Sequence, residues 1–409
     1  MSQPIPIPEA PETSDPHLLQ VIRDRIRQRG PIPFAEFMRL ALYHPEGGYY
    51  ASSYDPVGWK DGADYYTAPS RHPVFGAVLA TQVAECLAAV GEGPLDLVEF
   101  GPGSGALAQS LLRGLSAPAS GHLAGLRCTL VESNPHRVGV QRRRLSEAGL
   151  AENVRWMDLS AGEGASERLR GCLIANEVLD ALPVHRLVFQ EGSFKEIHVD
   201  WKEGLVETLR PISSPALLAE LQRHTFGPRE GQEVEVGLEA IRWIRRVASG
   251  LGRGYLFLFD YGHVAPEIYA PRHQRGTLLA YHRHRTNEDY LERVGRQDLT
   301  AHVNFSSVIA AAREAGLACC GLVPQGRFLL ALGILNRLRP ASTEFSWEEY
   351  QERKAIEVLF LPAGMGESHQ VLILATQGVE RDLACLRPPE EWETPGGERH
   401  ERIGGMREG

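Results

Sequence analysis

Leu95-Asp96-Leu97-Val98-Glu99-Phe100-Gly101-Pro102-Gly103-Ser104-Gly105-Ala106-Leu107 decides the fold. Leu95 to Phe100 is an apolar run with an acid near its end, and reads as a parallel strand covered on both faces. Gly101, Gly103 and Gly105 then let the backbone turn tightly, with no Cβ between it and a ligand. The apolar helix that follows points its unpaired N–H groups at the same place. Strand, glycine loop and helix in this order predict an open α/β sheet that binds a cofactor at the carboxyl ends of its strands.

Two cofactor classes use such a loop. Gly101-x-Gly103-x-x-Ala106 fits the dinucleotide pattern with alanine in third place, a weak signal alone. Acid-x-Gly-x-Gly-x-Gly, here Glu99 to Gly105, resembles motif I of S-adenosylmethionine (SAM) methyltransferases. SAM has no pyrophosphate; it offers an ammonium and a ribose diol. Glu99 suits such a ligand and would repel a pyrophosphate.

The chain has 409 residues, enough for one large domain or two. Its net charge of -9 argues against a general nucleic-acid binder. Arg142-Arg143-Arg144 reads as a solvated helix face. The six cysteines have no C-x-x-C spacing and read as reduced, buried thiols. No stretch approaches the ~18 apolar residues of a membrane span. The first residues are proline-rich and acidic, with neither a signal nor a transit pattern. The expectation is a bacterial cytoplasmic protein without membrane insertion, and the sequence is compatible with a homodimer.

Taken in order, residues 1–14 read as a disordered arm. Residues 15–92 read as a helical cap over the cofactor end of the sheet, with no strand of its own. Its helices start at Asp15-Pro16, at Pro33 and at about Pro73, the last running to Val90. Tyr49 and Tyr50, after Gly47-Gly48, read first as packing. The core spans 93–378. Its second strand, Cys128 to Glu132, ends in an acid placed to take ribose hydroxyls. The third, Asn153 to Asp158, ends in an acid that meets an adenine amino group or is simply exposed. The fourth, Cys172 to Glu177, carries Asn176 and Glu177 out of an apolar run, and burying them without partners is costly. An antiparallel insertion with a helix pair covers about 185–250. Tyr255 to Gly262 is a further buried strand ending near Asp260, and the last strands fall at Ala318 to Val323 and Gln370 to Ala375. His282 and His284 are spaced to share a strand face, but no third ligand is evident, so no metal is expected. Residues 379–409 read as a loose tail.

The chain also resembles the MidA family of SAM-dependent methyltransferases, which includes the mitochondrial assembly factor for respiratory complex I. The resemblance rests on motifs in family order. They are Tyr43-His44-Pro45-x-Gly47-Gly48-Tyr49-Tyr50, Asp64 to Pro69, Phe75-Gly76, and the Glu99 to Leu107 loop. Then come Ala175-Asn176-Glu177-x-x-Asp180-Ala181-Leu182-Pro183, Asp260-Tyr261-Gly262, Gly276-Thr277-Leu278, Asp298 to Val303, and Met365-Gly366. The resemblance implies an α/β class I methyltransferase core, Rossmann-like, with a helical N-terminal cap and an inserted antiparallel region. It implies SAM as cofactor, S-adenosylhomocysteine as product, and a protein arginine as acceptor, in the family's mitochondrial member on a complex I subunit. The chain departs from the pattern at Ser104 and Ala106, where an arginine and a threonine are common, and at Ser110, where an acid is expected.

Methyl transfer is an in-line displacement at a sulfonium carbon and needs positioning plus removal of a proton from the nucleophile. A guanidinium acceptor calls for carboxylates that hold it by paired hydrogen bonds. Glu177 and Asp180 are assigned that role, with Asn176 beside the transferred methyl. Glu99, Gly101, Gly103, Gly105, Glu132, Asp158, Asn176 and Thr67 are assigned to the cofactor, and Tyr50 and Asp260 to the acceptor pocket. The rival readings are a SAM-binding assembly chaperone without turnover, a small-molecule methyltransferase and an NAD-dependent oxidoreductase.

Overall fold

The computed structural model describes residues 13–53, 63–116, 125–158, 168–338 and 346–388. Residues 1–12 of the expected arm and the end of the expected tail lie outside them. In chain order the elements begin with α1 (Pro16–Arg29), β1 (Ile32–Pro33), α2 (Phe34–Tyr43), α3 (Ala68–Arg71) and α4 (Val74–Val90). The first half of the core is β2 (Leu95–Phe100), α5 (Ala106–Leu115), β3 (Leu126–Val131), α6 (Pro135–Glu147), β4 (Val154–Met157) and β5 (Leu169–Asn176). An insertion supplies β6 (His185–Gln190), β7 (Ser193–Trp201), β8 (Leu205–Arg210), α7 (Pro215–Gln222) and β9 (Glu233–Val236). The chain re-enters the core through α8 (Leu238–Gly250) and β10 (Leu251–His263), then runs on through α9 (Ala265–Ile268). A short sheet follows, β11 (Leu279–His282), β12 (Arg285–Asn287) and β13 (Asp298–Thr300). Last come β14 (Val303–Asn304), α10 (Phe305–Glu314), β15 (Ala318–Pro324), α11 (Gln325–Ala331), α12 (Trp347–Phe360), α13 (Met365–Ser368) and β16 (His369–Ala375).

The main sheet has the order β15-β16-β10-β5-β2-β3-β4. β4, β3, β2, β5 and β10 are mutually parallel, and β16 runs antiparallel to both β10 and β15. β16 is therefore the one reversed strand in an otherwise parallel array. The order turns back at β2, which has β3 on one side and β5 on the other, so the crevice for a ligand opens above the carboxyl end of β2. Strand alternation explains both covers. Tyr255, Phe257 and Phe259 pack with α4, α5 and α11, while Leu256 and Leu258 pack with α8 and α10. This is the expected class I arrangement.

The N-terminal segment departs from expectation in two ways. Ile32 and Pro33 pair antiparallel with Val199 and His198, so the segment does contribute a strand, to the inserted sheet. α1 and α2 bury Leu18, Ile22, Phe34, Phe37 and Met38 against Val199, Leu278 and Leu299. α4, read as part of the cap, instead packs on the sheet beside α5, because it is apolar on nearly every side. At that crossing a Cβ on Gly76 would lie 2.0 Å from Ser110 Oγ. The Phe75-Gly76 motif is thus a close helix crossing, and Ser110 packs there, with its hydroxyl donating to the Ala106 and Leu107 carbonyls. Gly76→Val is expected to cost about 3 kcal/mol by overpacking, read as a lower denaturant midpoint.

Two further expectations are corrected. The segment from Val379 is not loose over its described part. Leu383 and Cys385 are fully buried, and the Cys385 N–H donates to Gln82 Oε1 at 2.9 Å. His282 and His284 do not share a strand face, since β11 ends at His282 and His284 sits in the following turn with φ +58°. Among the described residues no helix is long and apolar enough to cross a membrane, and no His, Cys, Asp or Glu group could hold a metal.

Candidate active site

A cleft of about 840 Å³ opens above the carboxyl ends of β2, β3 and β5, within the size range of cofactor and ligand sites. Its floor is the glycine loop. Gly101, Gly103 and Gly105 have φ of +62°, +52° and +79°, conformations that a side chain would strain. A Cβ on Gly103 would meet nothing within 4 Å, so that face of the loop is open to a ligand.

Gln141, fully buried on the inner side of α6, fixes the loop. Its Nε2 donates to the Gly103 carbonyl at 2.8 Å and to Glu132 Oε2 at 3.3 Å, while its Oε1 accepts from Trp156 Nε1 at 2.9 Å. Sequence reading missed it; a glutamine among the inward positions of an otherwise basic helix was the available signal. Asn134, also missed, ties the cap to the site, since its Nδ2 donates to the Tyr50 and Ser52 carbonyls. Glu132 directly follows β3 in the cleft, where its Oε1 takes the Asn134 N–H at 2.9 Å. Asp158 lines the cleft beyond it, exposed at the end of β4. Glu99 also lines the cleft and is buried, which pushes its carboxyl up to about 8 against the pull of the Ala108 N–H. Its Oε2 is buried with no partner. An orphaned carboxyl oxygen, a second acid at the end of the neighbouring strand and an open glycine loop suit SAM: Glu99 fits its ammonium, Glu132 its ribose and Gly103 its close approach.

The other half of the cleft is acidic and aromatic. Asn176 ends β5, and Glu177 follows in a left-handed conformation, φ +50°, with its N–H bonded to the Phe259 carbonyl at 2.8 Å. Holding a glutamate there costs roughly 1–3 kcal/mol, which the surroundings must offset. Asn176 Nδ2 donates to Glu177 Oε1 at 3.2 Å, and the Ala68 N–H points at the same oxygen from 3.4 Å. Thr67, just before α3, lines the cleft beside it. Burial, then the Asp180 charge, pushes Glu177 up to about 8. Asp180, raised well above its usual range by burial and then by Asp260 and Asp298, leaves its Oδ1 buried and unpartnered. Asp298, which sequence reading carried only as part of a motif, is pushed by burial to about 7, and both its oxygens accept from the Tyr50 hydroxyl at 2.8 Å. Tyr43, Tyr50, Tyr65, Tyr261 and Tyr281 wall this end, and Tyr43 stacks on Tyr50 at 5.4 Å. Arg137 lies 5.3 Å over the outer Tyr50 ring.

Asp260 is not in the cleft wall. It is buried beneath, where Oδ2 accepts from the N–H groups of Val178, Leu179 and Asp180 at 3.2, 2.8 and 3.4 Å, and Oδ1 from Tyr261 at 2.9 Å. It clamps the loop that presents Glu177 and Asp180, since a strand-end acid can bind backbone as readily as ligand. Asp260→Ala would orphan several buried N–H groups and is expected to cost at least about 2 kcal/mol, measured as a lowered Tm. Ser104 and Ala106 line the cleft. Ser110, at the Gly76 crossing, does not.

Comparison with known proteins follows the same line. Residues 78–323 match a family profile described as "Putative S-adenosyl-L-methionine-dependent methyltransferase". A Xenopus tropicalis protein named protein arginine methyltransferase NDUFAF7, mitochondrial, is 30% identical, covering 80% of this chain and 78% of that protein. Its Drosophila melanogaster homologue, also named mitochondrial, is 28% identical over 91% of this chain and 89% of its own length. A crystal structure from Burkholderia thailandensis, described as a likely methyl transferase bound to S-adenosyl-homocysteine, superposes with a TM-score of 0.81 at 32% identity. It covers 91% of this chain and 95% of that one. The mitochondrial relatives overturn the expectation of a bacterial cytoplasmic protein. That expectation rested on a missing targeting pattern, and a missing pattern names no compartment.

Proposed function

The chain belongs to this family of SAM-dependent methyltransferases, and from that premise we propose that it methylates an arginine side chain of a protein. The observation that supports the acceptor is the buried acidic end of the cleft, with Glu177, Asp180 and Asp298 among tyrosine rings. Such a site disfavours a neutral or anionic acceptor. It rewards a planar cation that can pair with carboxylates and stack on rings.

In this reading Glu99, Gly101, Gly103, Gly105, Glu132, Asp158, Asn176 and Thr67 hold SAM, which supplies the methyl group on its sulfonium. Glu177 and Asp180 hold the guanidinium, and Glu177 takes the proton that the attacking nitrogen gives up. Tyr50 orients Asp298 and forms part of the pocket wall. Asp260 keeps the Glu177–Asp180 loop in place from below. The acidic balance of the chain argues against a nucleic-acid acceptor. The sequence resemblance points to a respiratory-complex subunit as the acceptor protein.

The test is transfer of tritiated methyl from SAM to a pool of synthetic peptides with single arginines, followed by acid hydrolysis and chromatography. Label in methylarginine supports the reading. Label only in free metabolites would favour a small-molecule methyltransferase, and SAM binding without any transfer would favour a scaffold.

A further inference from the structure

The Met365-Gly366 motif lines no part of the cleft, yet it seats a histidine behind it. Gly366 packs so closely that a Cβ would lie 2.2 Å from the Phe360 carbonyl oxygen. That contact fixes α13, and three residues later β16 begins at His369, paired across the strand with Tyr261. The His369 ring is buried, lies against the Tyr261 ring at 3.9 Å, and has Nδ1 3.1 Å from Ser368 Oγ. Its Nε2 has no hydrogen-bond partner and lies 3.9 Å from Glu177 Oε1.

We infer that His369 is a positioning residue that makes Glu177 a proton acceptor: its Nε2 lone pair receives the hydrogen bond of the Glu177 carboxyl once that carboxyl has taken the guanidinium proton. The inference rests on the proposed role of Glu177. In the step itself the N–C bond forms, the C–S bond breaks, and the nitrogen's proton passes to Glu177 Oε1, which turns it toward His369.

The tautomer follows from the partners. Ser368 Oγ donates to the Gly364 carbonyl at 3.3 Å, so toward the ring it accepts, and the ring N–H is on Nδ1. Burial first, and then His302, hold the ring neutral, with its pKa lowered to about 3. A neutral ring with its lone pair toward Glu177 favours the protonated carboxyl over the carboxylate. The other titratable groups facing the pair are Asp180 and Asp298 on the cleft side, Asp260 below the loop, and Tyr261 against the ring. The separation exceeds a hydrogen bond in the free protein, as catalytic contacts often do before substrate closes them.

His369→Gln places an amide N–H against Glu177 and so favours the carboxylate. The acid limb of the kcat profile is then expected to move down by about one pH unit, with kcat falling at least ~10-fold. KM values for SAM and for an arginine peptide should stay within about twofold, because neither touches His369. Unchanged kcat and limb in a variant that binds S-adenosylhomocysteine would overturn the inference. Nitrogen NMR of the wild-type protein decides it independently of any variant. A neutral ring protonated at Nδ1 at pH 7 supports it, and a ring protonated at Nε2 refutes it. If the wild type methylates no arginine peptide, the acceptor reading falls, while the tautomer still reports on the Glu177–His369 pairing.

Discussion

Glu177→Gln is expected to lower kcat for methyl transfer to an arginine peptide by about 10³-fold while S-adenosylhomocysteine affinity stays within about threefold. Glutamine keeps the size of the side chain and an oxygen for the Asn176 Nδ2 and the Ala68 N–H, so the cleft should hold its shape. On the proposed mechanism, what is lost is the carboxylate that pairs with the guanidinium and accepts its proton. Tritium transfer and calorimetry on the same preparation separate the two quantities. Wild-type turnover in the variant would remove Glu177 from the mechanism. The pH dependence carries the same argument. A carboxyl pushed up to about 8 is largely protonated below that value, and then neither pairs with a cation nor accepts a proton. The wild-type kcat/KM should therefore rise with pH through about 8, and Glu177→Gln should lose that limb.

Gly103→Arg is expected to weaken S-adenosylhomocysteine binding by more than ~100-fold, with a change in Tm of only a few degrees. The added side chain meets no protein atom near its Cβ, so packing is spared. It projects into the open side of the loop, where the cofactor would lie. It also brings a fixed positive charge toward the ligand's ammonium, and places a side chain at φ +52°, a strain of roughly 1 kcal/mol or more. Gly103→Ala should lose far less. If calorimetry found the arginine variant binding as the wild type does, the glycine loop would not be the cofactor seat.

The central sheet was legible because each of its parallel strands announces itself locally. Leu95 to Phe100, Cys128 to Glu132 and Cys172 to Asn176 are apolar runs followed by turn or polar residues, and the glycine loop fixes which comes first. That Glu99 and Glu132 would line one cleft was legible for the same reason, since one lies in β2 and the other directly follows β3. The acidic, tyrosine-walled half of the cleft was less so. Glu177 and Asp180 follow a core strand directly. Tyr65, Tyr281 and Asp298 come from the cap and from β11 and β13, which meet β5 only through tertiary packing that no local pattern encodes. Asp260 was read as a pocket residue because its position at the end of a strand is shared by ligands' partners and backbone clamps alike. Which role it plays depends on the N–H groups of Val178 to Asp180, which lie far away in sequence. The helix Val74–Val90 was misplaced for a related reason: a helix that is apolar all round has no single face to name its neighbour.

The shared core of α1, α2 and the strands near Leu278 and Leu299 has a consequence for how the chain is made. On the ribosome the N-terminal helices emerge first, carrying Leu18, Ile22, Phe34 and Phe37 with nothing yet to cover them. Val184 and Val199 cover them in part, but the cover is complete only when Leu278 to Ala301 has been translated, and at ~5–20 residues per second that interval is roughly 10–50 s. During that time the glycine loop and the central strands can assemble, but the tyrosine wall cannot. Cofactor binding capacity should thus precede acceptor binding capacity in a nascent chain, and the exposed N-terminal helices are where a chaperone would be needed.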